Sequence, residues 1–257
     1  MSLPIVVVTT TFYKSVSDLR YQLACETIRQ ARQHDYDIIV VDGSPDPAIR
    51  KTFTELGALV FQETTKGMGH SRRLAFFHAL NHLYCTLKAE DGIIVWLEPE
   101  KHDLVRFIQE IIAAFRHNVV AVVPRRTKQS WETYPEFQQA SERRANAAFS
   151  SAIGRVNLDV MFGPVAFLAS RLWQLLLVCP TRFQYPDTYI QQFLLIQLLA
   201  AEQEVAAVNV NFIYPESSRQ AETSEAAGGG PILAKRQEQE RILSEAFRQA
   251  AGLLKAK

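Results

Sequence analysis

Residues 91–101 read Asp91-Gly92-Ile93-Ile94-Val95-Trp96-Leu97-Glu98-Pro99-Glu100-Lys101. The apolar run from Ile93 to Leu97 suits a strand buried on both faces. It stops at two carboxylates with a proline between them. Residues two apart on a strand share a face, so Glu98 and Glu100 converge if the chain stays extended through Pro99. Proline disfavours helix at the residue before it and fits a ladder only where the ladder ends. Two acids close together repel unless a cation lies between them. A hard ion, Mn2+ or Mg2+, sharing oxygen ligands with a diphosphate would meet that need. The same residues also suit a helix start ahead of His102–Phe115, because acids and proline favour a first turn.

Working outward, this strand is the fourth of a series. Ile5-Val6-Val7-Val8 runs into Thr9-Thr10-Thr11, and Asp37–Val41 runs into the turn cluster Asp42-Gly43-Ser44-Pro45-Asp46. Ala58–Phe61 and Val119–Val123 are further strands. Helical spacing fills Asp18–Gln33, Ala48–Leu56, Ser71–Leu87 and His102–Phe115. This alternation predicts an α/β fold, a mostly parallel, helix-covered sheet. Right-handed crossovers then gather the C-terminal strand ends on one edge, where ligands bind in open α/β sheets. The clusters at 9–13, 42–46, 66–73 and 98–101 fall along it.

Beyond residue 125 the rhythm breaks. Arg125–Arg155 is polar, with Trp131, Tyr134 and Phe137. Asp159–Ala169 returns to strand character, Pro186–Glu202 reads as a helix and Val205–Ile213 as a last strand. Pro215–Pro231 has the composition of a mobile loop or linker. Ala234–Leu254 is an amphipathic helix with Ile242, Leu243, Phe247, Ala250, Leu253 and Leu254 on its apolar side. The expected organisation is a main domain over 1–215, a flexible segment over 216–231 and a C-terminal helix over 232–257. That helix suits docking on its own domain or on a second copy of the chain, as a homodimer. Its Arg241, Arg248, Lys255 and Lys257 also suit contact with a membrane surface.

Composition narrows the function classes. The formal net charge of +1 over 257 residues gives no field that would draw nucleic acid. The three cysteines, Cys25, Cys85 and Cys179, lack metal-type spacing and read as reduced thiols of a cytoplasmic protein. The N-terminus has no basic leader pattern, and Phe193–Ala201 is too short to span a bilayer. The histidines show no paired metal-binding spacing.

The order of the segments carries more than any one of them. A strand ending in threonines, then VVDGSPD, KGMGHSRRLAFFHAL, an acid-x-acid after a strand, FGPVAFLASRLW and YPDTYIQQFLL follow one another. This series resembles the nucleotide-sugar glycosyltransferases of GT-A fold, especially the family 2 group, over about residues 4–215. The resemblance implies a Rossmann-like GT-A sheet, a nucleoside diphosphate sugar donor, a hydroxyl acceptor and a divalent metal. It implies that Thr9, Thr10, Thr11 and Asp42 hold the nucleoside, that Arg72 or Arg73 contacts the diphosphate, and that Glu98 and Glu100 meet ribose and metal. Asp187 takes the place of the acid that activates the acceptor. Trp131 and Tyr134 are aromatics suited to stacking a sugar or to packing.

The sequence also departs from the family. VVDGS has one acid where VVDDGS is usual, glutamates replace both aspartates of D-x-D, Arg73 stands where asparagine is common, and Pro186 replaces the first acid of an E-D pair. These departures keep a second expectation open, a non-catalytic nucleotide-sugar-binding module of the same fold. A nucleotidyltransferase fits less well, since Thr9–Lys14 has no glycine for a phosphate loop, and a triad hydrolase lacks G-x-S-x-G after a strand.

Overall fold

The computed structural model describes residues 3–154 and 158–255, the side chains of 253–255 excepted, so Arg155, Lys257 and the expected apolar contacts of Leu253 and Leu254 lie outside the described part. Its centre is a seven-stranded sheet of order β3-β2-β1-β4-β6-β5-β7. The strands are β1 (Ile5–Thr11), β2 (Asp37–Asp42), β3 (Leu59–Gln62), β4 (Ile93–Trp96), β5 (Val119–Arg126), β6 (Val165–Leu168) and β7 (Glu204–Val210). Only β6 is reversed: it pairs antiparallel with β4 and β5, whereas β1–β2, β1–β4, β2–β3 and β5–β7 are parallel. The register sets Thr11 beside Asp42 and Val8 beside Trp96. The ends of β1, β2 and β4 therefore open on one edge, as the alternation predicted.

Ten α-helices flank the sheet among the described residues: α1 (Leu19–Gln33), α2 (Pro47–Glu55), α3 (Met68–Asn81), α4 (Ile108–Ala113), α5 (Lys128–Glu132), α6 (Glu136–Ile153), α7 (Ala169–Leu176), α8 (Ile190–Ala200), α9 (Glu216–Ala226) and α10 (Pro231–Lys255). Strand alternation divides the core into two layers. Val6, Val8, Ile39, Val41, Ile94 and Trp96 pack with α3, α8 and α10. Val7, Ile38, Val40, Val95 and Leu97 pack with α1, α2 and α4. No described helix is long and apolar enough to cross a membrane.

The structure redraws several boundaries. Strand character in 159–169 is confined to β6, after a 3-10 turn at Val160–Phe162. Helix α3 begins at Met68, three residues ahead of Ser71. A Cβ on Gly69 would lie 2.2 Å from Asp187 Oδ2, so the missing side chain lets the Asp187 loop rest on the first turn. The segment Pro215–Pro231 holds a helix rather than a linker. Glu216 accepts hydrogen bonds from Arg219 and Gln220 at helical spacing, and Tyr214 Oη donates to Glu222 Oε1 at 3.1 Å. Nor is α10 an appendage. Leu243, Ala246, Phe247, Ala250 and Ala251 are buried in the main core, and Phe247 meets Phe149 of α6 edge-to-face at 5.0 Å.

Because Phe247 is fully buried, Phe247→Ala should cost about 3–5 kcal/mol of stability. Urea unfolding should show this as a shift of one cooperative transition. A separate early transition with the main one unmoved would mean that α10 folds independently.

Candidate active site

The crevice lies where β1, β2 and β4 end. Asp42 is fully buried and saturated by its own chain: Thr11 Oγ1 donates to Oδ1 at 2.7 Å, Ser44 Oγ to Oδ1 at 2.6 Å, Ser44 N to Oδ2 at 3.2 Å and Arg50 Nη1 to Oδ2 at 3.2 Å. It holds the turn that shapes this end of the crevice. A base would have to break that set to reach the carboxylate. Thr9 and Thr11 share the face of Asp42, whereas Thr10 points to the α3 side. Phe12, next along the chain, is 63% exposed. That aromatic surface at this end of the crevice was overlooked in the sequence, where it sits inside the threonine cluster.

Glu98 and Glu100 reach the same edge but take different partners. Lys101 N donates to the Glu98 carbonyl at 3.0 Å, closing a turn around Pro99, a residue favoured at its second position. The extended course that would have aligned the two acids ends there. Glu98 turns toward β6. It pairs with Lys101 Nζ, which also donates to the Phe162 carbonyl. A Cβ on Gly163 would stand 2.6 Å from Glu98 Oε1, and this glycine has φ +101°, a region that favours glycine. Glu100 turns toward α1, where Arg20 Nη2 lies 2.7 Å from Oε1.

The electrostatics follow from this split. Burial alone would raise the Glu98 carboxyl, but Lys101, then Arg72 and Arg236, hold it below its usual value. Burial pushes Glu100 above its usual value, aided by Glu98 and opposed by Arg20. Among the described residues no group of three or more His, Cys, Asp or Glu could hold a metal ion. The donor chemistry still suits a hard cation through carboxylate oxygen, provided a diphosphate completes the shell.

The two arginines of α3 part company. Arg72 lies over the Trp96 ring at 5.1 Å and donates to Gln191 Oε1 at 3.0 Å and to the Thr188 carbonyl. Arg73 instead clamps Asp187, with Nη2 2.7 Å and Nε 3.1 Å from Oδ1. Asp187 thus comes to the crevice wall already engaged. Trp131 stacks with arginines of its own chain: the guanidinium carbons of Arg126 and Arg143 lie 3.5 and 4.8 Å from its ring centroid.

That stack belongs to a network which sequence reading missed. Arg126, at the end of β5, bonds Asp159 through Nε and Nη2, each at 2.8 Å, and Glu142 through Nη1 at 2.6 Å. Glu142 also faces Arg236 of α10 at 3.6 Å. Its only trace in the sequence is a polar tract broken by aromatics. Arg236 stands far down the chain from every motif that resembles the family, so nothing marked it.

Several buried polar atoms near this edge have no hydrogen-bond partner: Thr9 Oγ1, Arg72 Nε, Trp96 Nε1, Tyr134 Oη and Tyr185 Oη. Each such group costs about 1–3 kcal/mol unless something binds it. With the sheet order, the single reversed strand and this edge described, comparison is decisive for architecture. Glucosyl-3-phosphoglycerate synthase of Mycobacterium tuberculosis superposes with a TM-score of 0.53 at 17% identity, over 89% of this chain and 82% of that one.

This chain has a GT-A fold.

The same enzyme in complex with Mn2+, uridine diphosphate and glucosyl-3-phosphoglycerate gives 0.51 at 17% identity, over 91% and 80%. Another mycobacterial protein gives 0.54 at 15%, over 93% and 74%. At these identities the likeness establishes the GT-A fold. No family model and no curated protein matches the chain.

The Arg126 network gives a pH-dependent prediction. Burial would raise Asp159, but Arg126, with help from Asn146, holds it below the usual aspartate value. Its contribution to stability is therefore full above the unfolded value of about 3.9 and fades as pH falls through the lower folded value. Arg126→Met, which strands two buried carboxylates, should cost about 3–5 kcal/mol at pH 7. In urea titrations the gap from wild type should narrow below about pH 4 as carboxylates protonate. A gap constant from pH 7 to pH 3 would refute the assignment.

Proposed function

We propose that this protein is a cytoplasmic glycosyltransferase that moves a sugar from a nucleoside diphosphate sugar to a hydroxyl acceptor. The observation that carries the reading is the gathering of Thr9–Thr11, Asp42, Arg72, Glu98 and Glu100 at one edge of a GT-A sheet, beside unpartnered buried donors. The nucleoside would lie along the ends of β1 and β2, with the exposed Phe12 ring as a stacking surface and Asp42 supporting the turn beneath it. The diphosphate would lie near Glu98, where Lys101, Arg72 and Arg236 supply positive charge.

Transfer breaks the bond from the anomeric carbon to the diphosphate and forms one to the acceptor oxygen, so negative charge grows on the leaving group. Cations fixed beside it stabilise that change. Glu98 and Glu100 are the carboxylates that would hold Mn2+ or Mg2+ together with diphosphate oxygens, and such an ion acts as a Lewis acid when bound. Asp187, clamped by Arg73, would position the first turn of α3 and, through the neighbouring Thr188 carbonyl, Arg72. Its Oδ1 would serve as proton acceptor only after leaving the guanidinium.

One observation favours a second reading, a binding module without turnover. Glu98, Glu100 and Asp187 are each paired with a cation of their own chain. Calorimetric titration with UDP, GDP and ADP in the presence of Mn2+ tests both. At least one should bind, and Arg72→Ala should weaken it tenfold or more, about 1.4 kcal/mol. Binding of none would refute both readings. Slow sugar release from the matching donor, lost in Glu98→Gln, would select the enzyme over the module.

A further inference from the structure

Helix α9 buries none of its residues. It follows Pro215 and is succeeded by Gly228 and Gly229, whose φ values are +66° and +82°, a region that favours glycine. A cleft of about 340 Å³ separates its first turn, at Glu216 and Arg219, from His102, Asp103, Gln129 and Glu132. Glu222 ties the helix to the body of the protein. Its Oε1 accepts from Tyr214 Oη at 3.1 Å and from Arg236 Nη2 at 3.5 Å, while its Oε2 is buried without a hydrogen-bond partner. Tyr214 is itself fixed: its ring stacks on Tyr134 at 4.3 Å, and its N donates to Thr133 Oγ1 at 2.9 Å. Arg236 is the looser side of the contact. Its guanidinium lies 3.6 Å from Glu142, 3.5 Å from Glu222 and 3.4 Å from Gln239. Charge-assisted pairs close to about 2.7–2.9 Å, so none of the three holds it fully. Glu142 is already engaged by Arg126 at 2.6 Å and Gln138 at 2.8 Å. Arg236 also stands near enough to Glu98 to lower that carboxyl. A guanidinium fork matches the paired oxygens of a phosphate.

Resting on the donor-site reading above, we propose that Glu222 is an internal competitor, filling on Arg236 the place of a donor phosphate, and that its displacement releases α9. Once a phosphate takes Arg236, Glu222 keeps the tyrosine hydroxyl but stands beside a like charge, which repels it. An 11-residue helix without a buried face is marginal in water, so release becomes local melting of α9. The contact is self-inhibiting: it lowers the affinity of the crevice for its anion and couples filling of the site to the state of one surface helix.

Trypsin reports the release through cleavage after Arg219, located by mass spectrometry on the full chain. Glu222→Ala should be cut there severalfold faster than wild type, with the cooperative urea transition unmoved. Glu225→Ala removes the same charge from an exposed position on the same helix and should match wild type. The nucleotide among UDP, GDP and ADP, with Mn2+, that binds wild type should bind Glu222→Ala about fivefold more tightly, the weight of one partly exposed ion pair. It should also speed cleavage after Arg219 in wild type. Equal cleavage or equal affinity across the three chains overturns the proposal, and so does faster cleavage matched by loss of the whole urea transition. Should Glu222→Ala fail to fold, wild type alone decides: a bound nucleotide that leaves cleavage after Arg219 unchanged or slower refutes displacement and spares the donor site. Failure of all three nucleotides to bind sinks the donor site, and this proposal with it.

Discussion

The guanidinium of Arg126 is buried at the end of β5 and answered on two sides by carboxylates, Asp159 and Glu142. Removing such a charge from water is expensive, and only near-complete hydrogen bonding repays it. Here the repayment is spread over three parts of the chain. Asp159 belongs to the turn that feeds β6, Glu142 to α6, and the stacked Trp131 to α5. Each must be in place for the ion to be tolerated, so the charge acts as a registration point for the outer wall of the crevice. Through Glu142 the constraint passes to Arg236, and so to α10.

The inner wall follows a different rule. Its acids are not left to repel one another; each is matched by a cation from a neighbouring element, Glu98 by Lys101, Glu100 by Arg20 and Asp187 by Arg73. The edge is thus near balance before a ligand arrives. Behind it, Trp96 Nε1 and Arg72 Nε are buried without a hydrogen-bond partner, a cost the packing around them must offset.

The parallel sheet was legible because Ile5–Val8, Asp37–Val41 and Ile93–Leu97 are β-branched runs at the length of buried strands. The edge was legible because topology, rather than any side chain, puts strand ends together. What failed were inferences that carried a regular geometry past its end. Strand alternation was extended through Pro99, where a turn takes over and each glutamate takes a cation of its own. Composition marked 216–231 as a linker although its glutamate, arginine and glutamine residues pair at helical spacing. The division of labour between Arg72 and Arg73 depends on contacts more than a hundred residues away in sequence, and Arg236 reaches across 94 residues to Glu142. No local pattern encodes these.

The reversal of β6 has a consequence of its own. Parallel strands bring only their exits to the ligand edge, whereas β6 brings its entrance. The peptide leading into it, from Asp159 to Gly163, is thereby laid across the mouth of the site while the ladder behind stays intact. That approach is fixed from behind, by Asp159 on Arg126 and by the buried Val160 and Phe162. The surface laid across the mouth is therefore set by the same contacts that hold the outer wall, and a change in one reshapes the other.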